Sequence, residues 1–179
     1  RTPAWVIERI GISSLNGGTV RTDNYRADPD LPPARRAELA DYAGSGYDRG
    51  HMAPAGDFTW SNQAMLESFY LSNIAPQNPS LNRGAWSKLE DTVRTWVLQR
   101  NDLIVITGPI YSPEDSTIGQ SPVRVPKAFF KIAFDPFRHE VAAYVYPNTS
   151  PTTDSIDAFK APIEQIESAT GLALLSVRN

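Results

Sequence analysis

Cysteine is absent from this sequence. Disulfides, thiol catalysis and cysteine-bound zinc or iron–sulfur centres are therefore excluded. Histidine is almost as scarce, with only His51 and His139, too few for a histidine-rich zinc site. No run of 18 apolar residues occurs, so no transmembrane helix is expected. A basic excess is also missing. Seventeen Lys and Arg against twenty Asp and Glu give a formal charge of −3, which argues against a generic basic nucleic-acid binder. It leaves room for a catalytic cleft, which needs only a local positive patch, and a bound divalent ion is itself a large local charge. Neither a Gly-x-Ser-x-Gly elbow nor a phosphate-binding Gly-x-x-x-x-Gly-Lys loop appears. There is no internal repeat, low-complexity tract or linker. The start at Arg1, with neither methionine nor an apolar leader, is that expected of a processed or trimmed chain.

With 179 residues, 41% of them hydrophobic, the chain is long enough for one domain, residues 1–179, with a substantial core. Trp5–Ile10 reads as a first strand, Gly17-Gly18 as a turn and Pro33–Tyr42 as a short helix. Tyr47–Met52 reads as a strand and Thr59–Tyr70 carries helical spacing. Trp86, Leu89, Val93, Trp96 and Val97 recur at helical spacing and predict a helix over about 82–99, with Asn82 in the capping position. Leu103–Thr107 reads as a buried strand and 112–122 as a loop. Ala128–Phe134 and Glu140–Tyr146 read as strands joined through Asp135-Pro136. A last helix is bounded by Pro162 and Gly171. The pattern is α+β with a mostly antiparallel sheet.

Chemistry concentrates in two stretches. In Tyr47-Asp48-Arg49-Gly50-His51, a histidine, the default general base near neutrality, follows an arginine that could hold an anion. Gly50 permits close backbone approach or an unusual φ. Taken alone, His51 reads more readily as a hydrogen-bonded structural group than as a catalyst. In the second stretch, Tyr70-Leu71-Ser72-Asn73-Ile74-Ala75-Pro76-Gln77 leads to Leu81-Asn82 and then Trp86-Ser87-Lys88-Leu89-Glu90. Glu90 and Arg94 lie four apart beside the apolar stripe. By themselves they are an ordinary solvated pair on an ordinary helix.

Together, Asp-Arg-Gly-His, Tyr-Leu-Ser-Asn-Ile-Ala-Pro-Gln and Leu-Asn-x-x-x-Trp-x-x-Leu-Glu closely resemble the DNA/RNA non-specific endonucleases. This family of secreted bacterial nucleases and mitochondrial endonuclease G is built on the ββα-metal finger. The likeness continues through Val105-Ile106-Thr107-Gly108-Pro109, Val125-Pro126-Lys127-Ala128-Phe129-Phe130-Lys131, Tyr146-Pro147-Asn148 and the terminal helix. It implies an antiparallel central sheet flanked by helices, with the active site on the finger.

The resemblance also implies roles. His51 would be the general base and Asn82 the direct protein ligand of a divalent ion, with Glu90 acting on that ion through water. Magnesium suits a site with few protein ligands, with manganese or another divalent ion as alternatives. Arg49 and Arg94 match phosphate-holding positions. Asn73 and Gln77 match a polar stretch lining the site, and Asp48 would either order the finger, the preferred reading, or touch the metal's shell. A further substrate arginine lies upstream in the family; Arg21 and Arg26 both fall in that region, and Arg26 is taken as the candidate. Substrates would be both DNA and RNA, because phosphate contacts carry no base information, and water attack with departure of the 3′ oxygen would leave 5′-phosphate and 3′-hydroxyl ends. A homodimer is in keeping with the family, and no membrane insertion is expected. A secreted or periplasmic location is the first expectation and a mitochondrial one the alternative. The rival reading is a catalytically idle nucleic-acid or protein-binding module on the same fold.

Overall fold

A computed structural model describes residues 1–153 and 155–174. Its centre is an antiparallel sheet of four strands in the order β1 (Val6–Gly11), β4 (Asp102–Ile110), β7 (Ala128–Asp135) and β8 (Glu140–Pro147). The strands pair in continuous register, Ile7 opposite Ile106, Ile106 opposite Ile132 and Ile132 opposite Ala143. Alternation along each strand feeds two cores. On one face Ile10, Leu103, Val105, Phe129, Ala133, Tyr144 and Tyr146 pack under Trp86, Leu89, Val93 and Val97. On the other, Ile106, Phe130, Ile132 and Ala143 pack with Ile166 and with Leu172 and Leu174. Helices thus cover both faces, as expected.

Around this sheet run α1 (Ile12–Leu15), α2 (Leu39–Tyr42), α3 (Asn62–Ser68), α4 (Ser87–Arg100) and α5 (Ile163–Thr170). Among the described residues no helix is long and apolar enough to cross a membrane. The stripe on α4 is as the sequence predicts: Leu89, Val93 and Val97 are buried, and Trp96 is partly buried. α5 begins after Pro162 and stops at Gly171, whose φ of 71° is the left-handed conformation a helix end takes up and glycine adopts freely.

Three expectations need correction. The helix over Pro33–Tyr42 shrinks to the single turn α2; its prolines and the lack of a sustained apolar stripe leave nothing to extend it. Asn82 is not a helix cap. A π-helical turn, Leu81–Trp86, precedes α4, and Asn82 lies inside it, its backbone N–H donating to the Asn78 carbonyl at 2.9 Å. The capping work falls to Asn78, whose side-chain oxygen accepts from the N–H groups of Ser80 at 2.9 Å and Leu81 at 3.3 Å. The loop 112–122 contains β5 (Thr117–Ile118), which pairs with β6 (Val123–Arg124).

The finger consists of β2 (Asp48–His51) and β3 (Ile74–Gln77), paired antiparallel with Asp48 opposite Gln77 and His51 opposite Ile74, followed by the π turn and α4. Asn148 fastens it to the rest. Its amide donates to the carbonyls of Pro76 and Pro126 and accepts from the N–H of Asn78 at 2.7 Å. That amide nitrogen is buried and already committed to the protein, so Asn148 is a structural staple.

Candidate active site

Strand β2 alternates, so Arg49 and His51 share one face and Asp48 and Gly50 the other. Gly50 is required by close approach, not by φ. A Cβ there would stand 2.2 Å from Oε1 of Gln77, the buried residue packed against it from β3.

His51 is 7% exposed. It lies in a wall of rings, 4.9 Å from the Phe69 centroid in an edge-on contact and 5.4 Å from that of Tyr25. Tyr25 and Phe69 meet each other at 5.0 Å. Burial, reinforced by the charge of Arg21, pushes the imidazole from its ordinary 6.5 down to about 3. His51 is therefore neutral at physiological pH, the state in which a base can accept a proton. Its Nε2 is buried without a protein hydrogen-bond partner.

Three arginines surround this imidazole or its neighbours. The guanidinium of Arg49 lies over Tyr25 at 4.4 Å, that of Arg21 over Phe69 at 5.1 Å, and that of Arg26 over Tyr70 at 4.7 Å. Arg26 also ties its backbone to Phe69 and Leu71. The upstream arginine whose charge bears on His51 is Arg21. Arg26, the candidate from sequence, is instead engaged with Tyr70.

Asp48 connects the finger strand to the π turn. Its carboxylate accepts from Nδ2 of Asn82 at 2.9 Å and from both ends of the Arg83 guanidinium at 2.8 and 2.6 Å. Partial burial works against its charge, but these bonds hold the carboxyl below its ordinary range. The bond from Asn82 has a further consequence. With Nδ2 committed to Asp48, the amide oxygen is the end turned away, and oxygen is what a hard cation takes. Among the described residues no group of three His, Asp or Glu side chains converges to hold a metal. A cation at Asn82 would rest on one side-chain oxygen and keep most of its water.

Glu90 and Arg94 are not a solvated pair. The protein around the Glu90 carboxyl pushes it up to about 7 by desolvation, with Lys131 and Arg94 countering. Arg94 donates to Asp57 at 2.9 Å and to Asp91 at 2.7 Å. Burial opposes its charge, yet Asp57, Asp91 and Glu90 together raise it further. Asp57 is 4% exposed and sits in the turn Ala55–Phe58 just beyond His51. It thereby ties α4 to the turn that follows β2. Nothing in the sequence marked Asp57, since an acid in a turn acquires its partner only through tertiary structure.

Asn73 and Gln77, expected to line the substrate site, serve the scaffold. The Asn73 amide donates to the carbonyls of Ala53 and Ser68 at 2.8 and 2.9 Å and accepts from the N–H of Ala53 at 3.0 Å. With these three bonds it holds the loop after His51. Gln77 is 0% exposed and cannot touch a substrate.

Comparisons with known proteins agree with this geometry. Human mitochondrial endonuclease G is 39% identical over 188 residues, covering 96% of this chain and 63% of that protein. The mitochondrial nuclease of Saccharomyces cerevisiae is 36% identical, covering 98% and 60%. Nuclease C1 of Cunninghamella echinulata is 36% identical, covering 96% and 75%. The chain thus spans less than two thirds of the mitochondrial relatives' length. The human and yeast names match the mitochondrial alternative, and none of the three lends support to a secreted or periplasmic location. A crystal structure of endonuclease G bound to EndoGI superposes with a TM-score of 0.90 at 34% identity, over 97% of this chain and 78% of that one. The profile of DNA/RNA non-specific endonucleases matches residues 1–178. On fold, on finger and on sequence, this chain belongs to the DNA/RNA non-specific endonuclease family.

Proposed function

We propose that the chain is a sugar-non-specific, divalent-metal-dependent endonuclease that hydrolyses DNA and RNA to 5′-phosphate and 3′-hydroxyl ends. The observation that carries this reading is the Asp48–Asn82 bond. It draws an amide oxygen fit for a hard cation to the strand that bears a neutral, buried His51 and Arg49.

In this reading His51 takes the proton of the attacking water. Arg49 and Arg94 hold the phosphate and meet the charge that builds on it in the transition state. Arg21 rather than Arg26 joins them, because its charge is felt at His51. Asn82 would hold the ion directly and Glu90 would orient its water. When bound, the ion would stabilise charge on a non-bridging oxygen and on the departing 3′ oxygen. Magnesium is the ion proposed, on the hydration argument above. Because every group acts on phosphate, neither base nor sugar is read. A mitochondrial location is in keeping with the relatives' names.

The test is cleavage of plasmid DNA and ribosomal RNA by the purified chain, before EDTA, after it and after magnesium is restored. Both substrates should be cut, cutting should stop in EDTA, and it should return with magnesium. Undiminished cutting in EDTA would rule out the metal role. Strict preference for one sugar would rule out non-specificity.

A further inference from the structure

Most arginines near the finger already pair with a neighbouring carboxylate. Arg21 pairs with Asp23, Arg83 with Asp48, and Arg94 with Asp57 and Asp91. Arg49 is different. Among the described residues its guanidinium has no ion pair and no hydrogen bond; it rests on the ring of Tyr25, 4.4 Å from the centroid. A guanidinium held by a π face is located without being neutralised, and all five of its N–H donors stay available to an anion. The same ring contacts the imidazole of His51 at 5.4 Å and is braced edge-on by Phe69 at 5.0 Å. Arg26 is held in the same way on Tyr70, but Tyr70 shares no ring contact with His51 among the described residues.

We infer that Tyr25 is a positioning residue for the reaction: its ring carries the phosphate-holding Arg49 and the base His51 on one rigid support, so that phosphate and attacking water are delivered in fixed relation. The ring, not the hydroxyl, is what matters, since the hydroxyl makes only a long bond of 3.4 Å to the Arg49 carbonyl. This inference rests on the endonuclease reading above.

The test compares DNA cleavage by the magnesium-loaded wild type with that of Tyr25→Phe, Tyr25→Met and Tyr25→Leu, the last a second ring-free variant should Tyr25→Met fold poorly. Wild-type cleavage itself reports on the endonuclease reading; the differences among variants report on Tyr25. Tyr25→Phe should stay within about 2-fold of wild type, while a ring-free variant should lose about 5- to 30-fold in kcat/KM, the scale of a partly desolvated cation–π contact. Part of that loss should lie in kcat, because Arg49 meets charge that develops in the transition state. The decisive reading is a double-mutant cycle. In an Arg49→Ala background the loss from removing the ring should shrink to a small fraction of its wild-type value. A ring-free variant as active as wild type, a Tyr25→Phe loss as large as that of the ring-free variants, or full additivity with Arg49→Ala would each overturn the inference.

Discussion

At the scale of single residues, His51 and Asp48 carry the account. Replacing His51 by Ala should lower cleavage by about 100-fold or more, the usual scale for a general base, while circular dichroism stays unchanged. A separate expectation concerns pH. The folded state holds His51 far below its ordinary 6.5, at about 3. Its contribution to stability is therefore present above about pH 6.5 and lost as pH falls towards 3, because the unfolded chain binds the proton first. Glu90 acts in the opposite sense, its raised value adding stability that is lost as pH rises from about 4.5 through about 7. The His51 share is isolated by His51→Phe, a ring suited to the niche between Tyr25 and Phe69. In the wild type the His51 loss and the Glu90 gain oppose each other between pH 7 and pH 5, so the urea midpoint at pH 5 minus that at pH 7 should be more positive in the variant than in the wild type; the same difference in both would show that His51 is not held neutral. For Asp48→Asn, Arg83 loses its ion pair and the Asn82 amide its anionic acceptor. The magnesium concentration for half-maximal cleavage should rise several-fold, and an unchanged magnesium titration would refute the orienting role.

At the scale of elements, the finger depends on Gly50. The Gly50→Ala methyl would fall 2.2 Å from the Gln77 side chain, an overpacking that should destabilise the chain by about 1–3 kcal/mol. Adding Gln77→Ala should restore part of the loss in thermal unfolding; no restoration would place the clash elsewhere. Leu89→Ala, in the fully buried stripe of α4, should cost about 2–5 kcal/mol. That stripe was readable in the sequence because a 3.6-residue period spans four turns. The start of the same helical segment was not. The sequence offers Asn82 as the cap, and only the bonds from the N–H groups of Ser80 and Leu81 single out Asn78 instead. Strands β5 and β6 escaped because two residues show no alternation. The Asp-Arg-Gly-His stretch was legible as chemistry, whereas the Asp57 partner of Arg94 and the Tyr25 support of Arg49 arise across 37 and 24 residues of separation. Asn73 and Gln77 were legible as part of the motif, but whether a polar side chain faces substrate or backbone is decided by packing.

At the scale of the whole molecule, a net charge of −3 coexists with two arginines, Arg21 and Arg49, seated on the rings of Phe69 and Tyr25 that pack against His51. Behind it lies a buried set of charges. Lys131, 2% exposed on β7, donates to Thr107 at 2.7 Å and to the Met52 carbonyl, the residue after His51, at 3.5 Å. Glu8 on β1 is pushed well above the ordinary carboxylate range, first by burial and then by Asp57. The sheet thus supports the finger through polar contacts as well as through the apolar core. The central claim is hydrolysis of the phosphodiester itself, indifferent to sugar and driven by His51. It is tested most directly by offering wild type and His51→Ala a DNA and an RNA of the same sequence with magnesium, and by assaying the ends of the products. Both substrates should be cut by the wild type to ends that ligate without prior kinase treatment, and cleavage of both should fall together in the variant. Cutting of RNA alone, 3′-phosphate ends on DNA, or a variant as active as the wild type would contradict it.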